Sequence, residues 1–196
     1  LTDAVFVEVH KALRAAYDAS DVPPANRKTS DGFDADKMVA LMNVCRAYGT
    51  GVTIFAPPEF IAAMGPDAIV PVPTSGNYGG VYSPDDIEQI HRTGFINIFR
   101  GAPIVTIPQS FVDENNEETY VDPQLAYIFP SGSGSDRVVK VVLEGNTQIK
   151  DFVNRDNSIE VYAWKKMGCA ILTMNNWCIY KNTGIPQTFK NPYENL

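Results

Sequence analysis

Residues that carry out chemistry are scarce in this sequence. The 196 residues include only two histidines, His10 and His91, and three cysteines, Cys45, Cys169 and Cys178. The cysteine count is odd, and the spacings match no zinc-binding pattern. We therefore expect three small buried thiols in a reducing compartment, and neither a disulfide framework nor a metal site.

Long apolar runs and excess positive charge are also missing. No segment is long enough to span a membrane, and nothing resembles a signal peptide. There are 16 Lys and Arg residues against 23 Asp and Glu, a net charge of −7. Such a balance disfavours proteins whose main function is to bind a phosphate backbone tightly. With 44% hydrophobic and 20% charged residues, the composition is that of a folded globular chain.

Apolar spacing predicts helices in the first half of the chain. The pattern begins at Leu1, without a Met, so we expect a fragment or a processed product. Asp34 is placed to cap the second helix, and Pro57-Pro58 to open the third, which Gly65 would end. The predicted helices cover 2–20, 34–49, 57–64 and 83–93.

Strand-like runs dominate the second half. An antiparallel hairpin is predicted from 95–99 and 104–107, around 100–103. A second hairpin is predicted from 158–164 and 169–174, with a turn at 165–168. The other predicted strands are 52–55, 125–129 and a buried one at 138–143, and the tail after Thr183 is predicted to be extended. Early helices, late strands and no βαβ alternation predict an α+β fold with mostly antiparallel pairing.

The sequence offers no convincing catalytic group. His10 lies beside an apolar helix stripe and His91 near a helix end, so we interpret them as a packed and a capping histidine. A thiol nucleophile could be built from Cys178 and His91, because a thiolate needs an adjacent base. However, Cys178 lies between Trp177 and Ile179, as expected of a packed thiol. We predict no catalytic, cofactor-binding or metal-binding residue.

Long loops are the other feature of interest. The segment 66–82 is rich in Gly and Pro, and 112–119 carries four acids without the glycine spacing of a calcium loop. Neither loop has the lysine of a phosphate-binding loop. Long ordered loops on a compact core usually make contacts, which favours an interaction protein.

Three segments resemble a known family. They are Gly51-Val52-Thr53-Ile54-Phe55-Ala56-Pro57-Pro58-Glu59-Phe60, Arg100-Gly101-Ala102-Pro103-Ile104-Val105, and the stretch 157–171. In order and type they are similar to the strand–Pro–helix segment, the Gly-x-Pro turn and the terminal hairpin of tailed-bacteriophage major capsid proteins, a fold shared with encapsulins.

The resemblance implies a specific architecture. The helix at 1–20 would be the end of a spine helix in a peripheral domain formed by 1–33 and 150–182. An axial domain would cover 34–149, and 183–196 would be an extended tail. The family's N-terminal arm and extended loop precede the spine helix and are absent from this sequence, so no cross-linking chemistry is assigned to Asn154 or Asn157.

The resemblance also implies a function. It predicts a major capsid subunit that self-assembles into pentamers and hexamers of an icosahedral shell around phage DNA, in the bacterial cytoplasm. Scaffolding and portal proteins would be partners, DNA would be bound only weakly, and no cofactor or membrane would be involved. Axial loops meet at the symmetry axes in the family, so the interface candidates are Asn77, Tyr78, Asp113, Glu114, Glu117 and Glu118. The alternatives are a thiol hydrolase using Cys178 and a phage tail or receptor-binding module.

Overall fold

A computed structural model describes residues 2–68, 96–133, 137–153 and 158–190. Its three helices are α1 (Thr2–Asp18), α2 (Ala35–Arg46) and α3 (Pro58–Ala68). Its eight strands are β1 (Arg27–Ser30), β2 (Gly51–Ala56), β3 (Ile98–Phe99), β4 (Ala102–Thr106), β5 (Leu125–Ser131), β6 (Val139–Val153), β7 (Ile159–Ile171) and β8 (Cys178–Asn182). The predicted loop at 69–82, the predicted helix at 83–93 and Phe95 lie outside the described residues.

Helices α1 and α2 form where the sequence predicted them. Along α2, Met38, Leu41, Met42 and Cys45 are all fully buried, as an i, i+3, i+4, i+7 stripe requires. The Asp34 carboxylate caps this helix. Its Oδ1 accepts the backbone N–H groups of Asp36 and Lys37, at 3.0 and 3.1 Å. In the described part of α1, the buried stripe is Val7, His10, Leu13 and Ala16.

Six strands form one mixed sheet in the order β1-β8-β5-β2-β4-β3. The pairs β1–β8 and β2–β4 are parallel, and β2–β5, β3–β4 and β5–β8 are antiparallel. The mixed, mostly antiparallel α+β class is confirmed. Strand β1 lies between the first two predicted helices, where the sequence predicted no strand. Pairing with the buried strand β8 makes Arg27–Ser30 extended, although its own residues have little strand pattern.

Both faces of this sheet are covered, since side chains alternate between two cores. Ala126 and Ile128 of β5 pack in a core with α2 and α3, whereas Leu125 and Tyr127 pack in a core with α1. Strand β8 alternates in the same way, which explains why its residues read as a continuous apolar run.

The hairpin β3–β4 confirms its prediction within the described residues. Its turn residues Arg100 and Gly101 both have positive φ, 45° and 82°, and hairpins with two-residue loops favour this conformation. Helix α3 differs from its prediction, because it continues past Gly65 and Pro66 to Ala68. Pro66 has a helical φ and the helix ends two residues after it, so the missing hydrogen bond and the crowding of the ring affect only the last turn.

Strands β6 and β7 form a separate two-stranded ribbon, which corrects the second predicted hairpin. The predicted turn at 165–168 lies within β7, where Lys166 pairs with Glu144 and Gly168 with Val142. The Lys166 Nζ lies 2.9 Å from the Glu144 carboxylate, on the opposite strand. The strand predicted at 138–143 forms but is not buried along its whole length, because Val142 and Leu143 are each 51% exposed. None of the other described strands pairs with this ribbon, and these two side chains lie in solvent.

The peripheral and axial domain division implied by the resemblance stays a prediction. None of the described helices is both long enough and apolar enough to cross a membrane.

Candidate assembly surfaces

The thiol of Cys178 lies in the core and not in a catalytic cleft. Its side chain is fully buried, and its Sγ lies 3.5 Å from the Leu41 carbonyl oxygen, which accepts its hydrogen. A hydrogen bond with the thiol of Cys45, together with burial, raises the pKa of Cys178 far above its ordinary value. A nucleophilic cysteine needs the opposite environment, one that favours the thiolate. His91, the proposed base, lies outside the described residues.

His10 is a packed histidine, as predicted. The side chain is 2% exposed; its Nε2 accepts the Asp122 backbone N–H at 3.1 Å, and its Nδ1 lies 2.8 Å from the Tyr127 hydroxyl. A neutral imidazole has one N–H, so Nδ1 carries the proton and donates to Tyr127. Burial, and to a smaller extent the nearby Arg14 charge, lower the pKa of His10 from 6.5 to about 3. The ring is therefore neutral and holds α1 against the sheet.

Asp122 joins this histidine to a wider polar network. Its Oδ2 accepts from Arg14 Nη1 at 2.8 Å and from Gln187 Nε2 at 3.1 Å, and its Oδ1 accepts the Gln124 backbone N–H at 3.0 Å. The carboxylate is only 1% exposed, so it needs these donors. These contacts fasten helix α1 and the chain after β8 to the sheet. Among the described residues no cluster of His, Cys, Asp and Glu could hold a metal.

Four interface candidates lie together on one turn, which we call the acidic loop (residues 111–119). An isolated bridge between Phe111 and Thr119 closes it. Asp113 organises the turn, because its carboxylate accepts the backbone N–H groups of Asn115, Glu117 and Glu118. These hydrogen bonds, the one from Glu118 first, lower the pKa of Asp113.

The remaining acids of this loop point outward. Glu114 and Glu117 are exposed, and Glu118 forms an ion pair with Lys190 at 2.7 Å. The acidic loop is therefore held in one conformation by Asp113 and exposes the carboxylates of Glu114 and Glu117 to solvent; we call this exposed end the acidic knob. Whether it is an interface stays a prediction. The other two candidates, Asn77 and Tyr78, lie outside the described residues.

Among the described residues, the large exposed apolar side chains are concentrated on the β6–β7 ribbon, which was not among the predicted interface candidates. Paired residues share a face, and faces alternate along each strand. Ile149, Ile159 and Val161 therefore lie on the same face as Leu143, and their exposed fractions are 65, 69, 62 and 51%. We call this side of the ribbon the aliphatic face.

The opposite face of the ribbon is more polar, and its large side chains contact one another. The rings of Phe152 and Tyr162 meet edge to face at 5.7 Å, and Lys150 Nζ lies 5.5 Å from the centre of the Trp164 ring. The ion pair of Lys166 with Glu144 is on this face too. We call it the aromatic face.

Among the described residues, helix α1 covers the base of the aliphatic face. Val139 and Ile171 pack in the α1 core. Two residues farther out along β7, Cys169 lines an open groove of about 510 Å³ together with Lys11 and Arg14 of α1. Beyond that groove the apolar side chains of the face are exposed in the described part of the chain. The alternation of Ile159 and Val161 was visible in the sequence, but the false turn at 165–168 concealed the length of the strand and hence the size of the surface.

A solved structure shares this fold. The crystal structure of a phage-related protein from Bordetella bronchiseptica RB50 aligns with 90% of this chain and 63% of its own, at a TM-score of 0.55 and 10% identity. The chain thus spans less than two thirds of that protein. The virus-like particle from Pyrococcus furiosus (TM-score 0.49, 14% identity, 90% of this chain and 62% of its own) and Mycobacterium phage Che8 (0.47, 17%, 82% and 55%) are more distant. No curated protein sequence matches the chain significantly.

The family is shown by sequence. Residues 1–176 match the profile of the family described as "SPbeta prophage-derived putative capsid protein YonB". This match covers most of the chain, including the ribbon and the acidic loop, and ends just before β8. It confirms the resemblance to phage capsid proteins that the strand–Pro–helix and Gly-x-Pro segments suggested. The chain therefore belongs to this prophage-derived capsid protein family.

Proposed function

We propose that this chain is the shell-forming part of a major capsid subunit, which self-assembles into pentamers and hexamers of an icosahedral shell around phage DNA. The observation that carries the proposal is the capsid-family match over residues 1–176. The virion shell would be its location and the host cytoplasm its place of assembly. Scaffolding and portal proteins are the partners expected from such a subunit.

The described surfaces support a structural protein. The polar groups buried near α1 are satisfied by one another, and the exposed features are a rigid acidic knob and a bare apolar ribbon. Features of this kind are typical of contact surfaces, since large exposed apolar patches mark interaction sites. The thiol-hydrolase alternative loses its support, because Cys178 is buried and protonated.

Weak interaction with DNA fits the same proposal. A shell wall lies beside packaged DNA but must not hold it, and a net charge of −7 gives no excess of cations to neutralise phosphates. The acidic knobs of identical subunits would repel one another at a symmetry axis unless cations screen them. We therefore expect added salt to promote assembly of the subunit.

Electron microscopy of the natural gene product that contains this sequence tests the proposal. Closed particles of uniform size, formed with or without co-expressed scaffold, are the expected result. Soluble monomers at high concentration in the presence of scaffold would overturn it. Tail-like tubes or fibres would instead support the tail or receptor-binding alternative.

A further inference from the structure

The distal half of the aliphatic face needs a covering layer. An isolated two-stranded ribbon is marginally stable in water, and a stable one packs its apolar side on something. In the part of the chain that the structure describes, helix α1 supplies that layer at the base, next to Val139 and Ile171. Farther out, Ile149, Ile159 and Val161 remain 62–69% exposed. The aromatic face has less need of a partner, because its rings, lysines and acids already contact one another.

The charges on this face suggest which partner fits. By strand alternation, the described aliphatic face carries two charged residues, Asp151 and Lys165. They lie on either side of the paired residues Ile149 and Ala163: Asp151 is two residues toward the tip, and Lys165 two residues toward the base. Suppose that the aliphatic face of a second copy packs on the first, with the strands running in the opposite direction and Ile149 of each copy at the centre. Each Asp151 then lies at the same height along the ribbon as Lys165 of the other copy. The face is therefore complementary to itself.

We propose that the aliphatic faces of two copies of this chain pack against each other in antiparallel orientation about a two-fold axis near Ile149. The inference rests on the proposed function, because a shell brings copies of one chain together. An isologous contact of this type needs only one surface, used twice. Leu143, Ile149, Ile159 and Val161 form its apolar centre, and the Asp151–Lys165 contacts set its direction.

The size of the contact determines how it has to be tested. The eleven residues 143–153 extend for about 36 Å, and two strands are about 10 Å wide, so each copy contributes roughly 350 Å². A standard stable interface uses about 800 Å² from each partner. The ribbon contact is thus weak alone and forms when other contacts hold the copies near each other. Cross-linking detects such a contact better than the oligomeric state does.

Single cysteines provide matched probes on the two faces. The background is Cys169→Ala, which removes the half-buried thiol and keeps the buried Cys45 and Cys178. Ile149→Cys places a thiol at the proposed axis, and Lys150→Cys places one on the opposite face of the same strand. A short bismaleimide links two thiols, because each thiol adds across one maleimide double bond and no oxidant is needed. We expect at least about tenfold more linked dimer from Ile149→Cys, because stacked sheets lie about 10 Å apart and thiols on the outer faces lie much farther from each other.

Charge reversal tests the orientation. In the Ile149→Cys background, Asp151→Lys turns both attractive contacts into repulsive ones, and we expect cross-linking to fall about fivefold. Adding Lys165→Asp should restore it. Equal cross-linking from Ile149→Cys and Lys150→Cys, or no recovery in the double variant, would overturn the proposal. So would protection of Ile149→Cys from both cross-linking and thiol reagents, which would mean that a different segment covers the face.

The same samples distinguish this proposal from the function it rests on. Cross-linking is measured on the protein at high concentration, whether or not particles form, and electron microscopy of each sample reports assembly separately. Particles without the Ile149 cross-link would leave the capsid function standing and reject the ribbon contact. A selective, charge-dependent cross-link without particles would support the ribbon contact and count against the capsid function.

Discussion

Arg14 of helix α1 and Asp122 are 108 residues apart in sequence, yet Nη1 and Oδ2 are 2.8 Å apart. The carboxylate side chain is 1% exposed and the guanidinium 26%, so the pair lies at the inner edge of the helix–sheet contact. Asp122 also receives hydrogen bonds from Gln187 and Gln124, and its backbone N–H binds His10. One buried acid thus connects α1, β5 and the chain that follows β8.

Asp122→Ala should be strongly destabilising. It removes the buried acceptor of the half-buried Arg14 charge, the Gln187 amide and the buried Gln124 N–H. We expect the free energy of unfolding to fall by about 2–4 kcal/mol in urea denaturation. The matched control is Asp18→Ala, which removes the second, 60% exposed partner of the same arginine, 3.4 Å away. That change should cost about 0–0.5 kcal/mol. Equal effects would show that the buried pair does not fasten the helix.

His10 should make stability depend on pH. Its pKa is about 3 in the folded protein and 6.5 in the unfolded chain, so the unfolded chain binds the extra proton between these values. The stabilising effect of the neutral ring is complete above pH 6.5 and is lost as pH falls toward 3. Between pH 7.5 and 5.0, wild type should lose about 2 kcal/mol more than His10→Gln, in which nothing titrates at this position. Parallel pH curves for the two proteins would contradict this.

The cysteines should differ in reactivity and not in function. Cys45 and Cys178 are buried, and Cys169 is partly exposed on the ribbon. A thiol reagent should label Cys169 in the native protein and all three after denaturation. The reaction at Cys169 should be slow, because burial and the Glu8 charge raise its pKa. Cys178→Ala should keep assembly and lose about 1–2 kcal/mol of stability through packing. Loss of a hydrolytic activity in this variant would contradict the structural function.

Gly101 should be the sensitive glycine of the β3–β4 turn. Its φ is 82°, and a Cβ placed there meets nothing within 4 Å, so Gly101→Ala tests conformational strain without a clash. We expect a loss of about 1–2 kcal/mol in thermal or chemical unfolding. Gly168→Ala is the control, because that glycine has an ordinary strand φ and equally open space. It should be neutral within about 0.5 kcal/mol.

DNA binding should be weak and independent of sequence. We expect dissociation constants above roughly 10⁻⁵ M at physiological salt in fluorescence anisotropy with duplex DNA. Two duplexes of equal length and different sequence form the control pair and should behave alike. Micromolar or tighter binding, or discrimination between the two, would contradict the expectation from a net charge of −7.

Local patterns in the sequence determined much of this protein. The stripe of Met38, Leu41, Met42 and Cys45, capped by Asp34, predicts α2 from local pattern, although the stripe is buried against the sheet. Gly101 favours the β3–β4 turn, since glycine adopts its φ of 82° without steric cost. The segments that resembled capsid proteins also indicated the family, because they combine local signals in a fixed order.

Only the tertiary structure decided the features that depend on distant partners. Strand β1 has little apolar pattern of its own and is extended because β8, some 150 residues later, offers its edge. The Asp122 network joins residues whose polarity alone predicts a solvated surface. The segment 165–168 looks like a turn, and it is a strand because residues 142–144 pair with 166–168. The backbone N–H and C=O groups of a segment must be paired when they are buried, and a neighbouring strand can pair them whatever the local sequence. A segment whose residues predict a turn or loop is therefore extended wherever such a strand lies beside it.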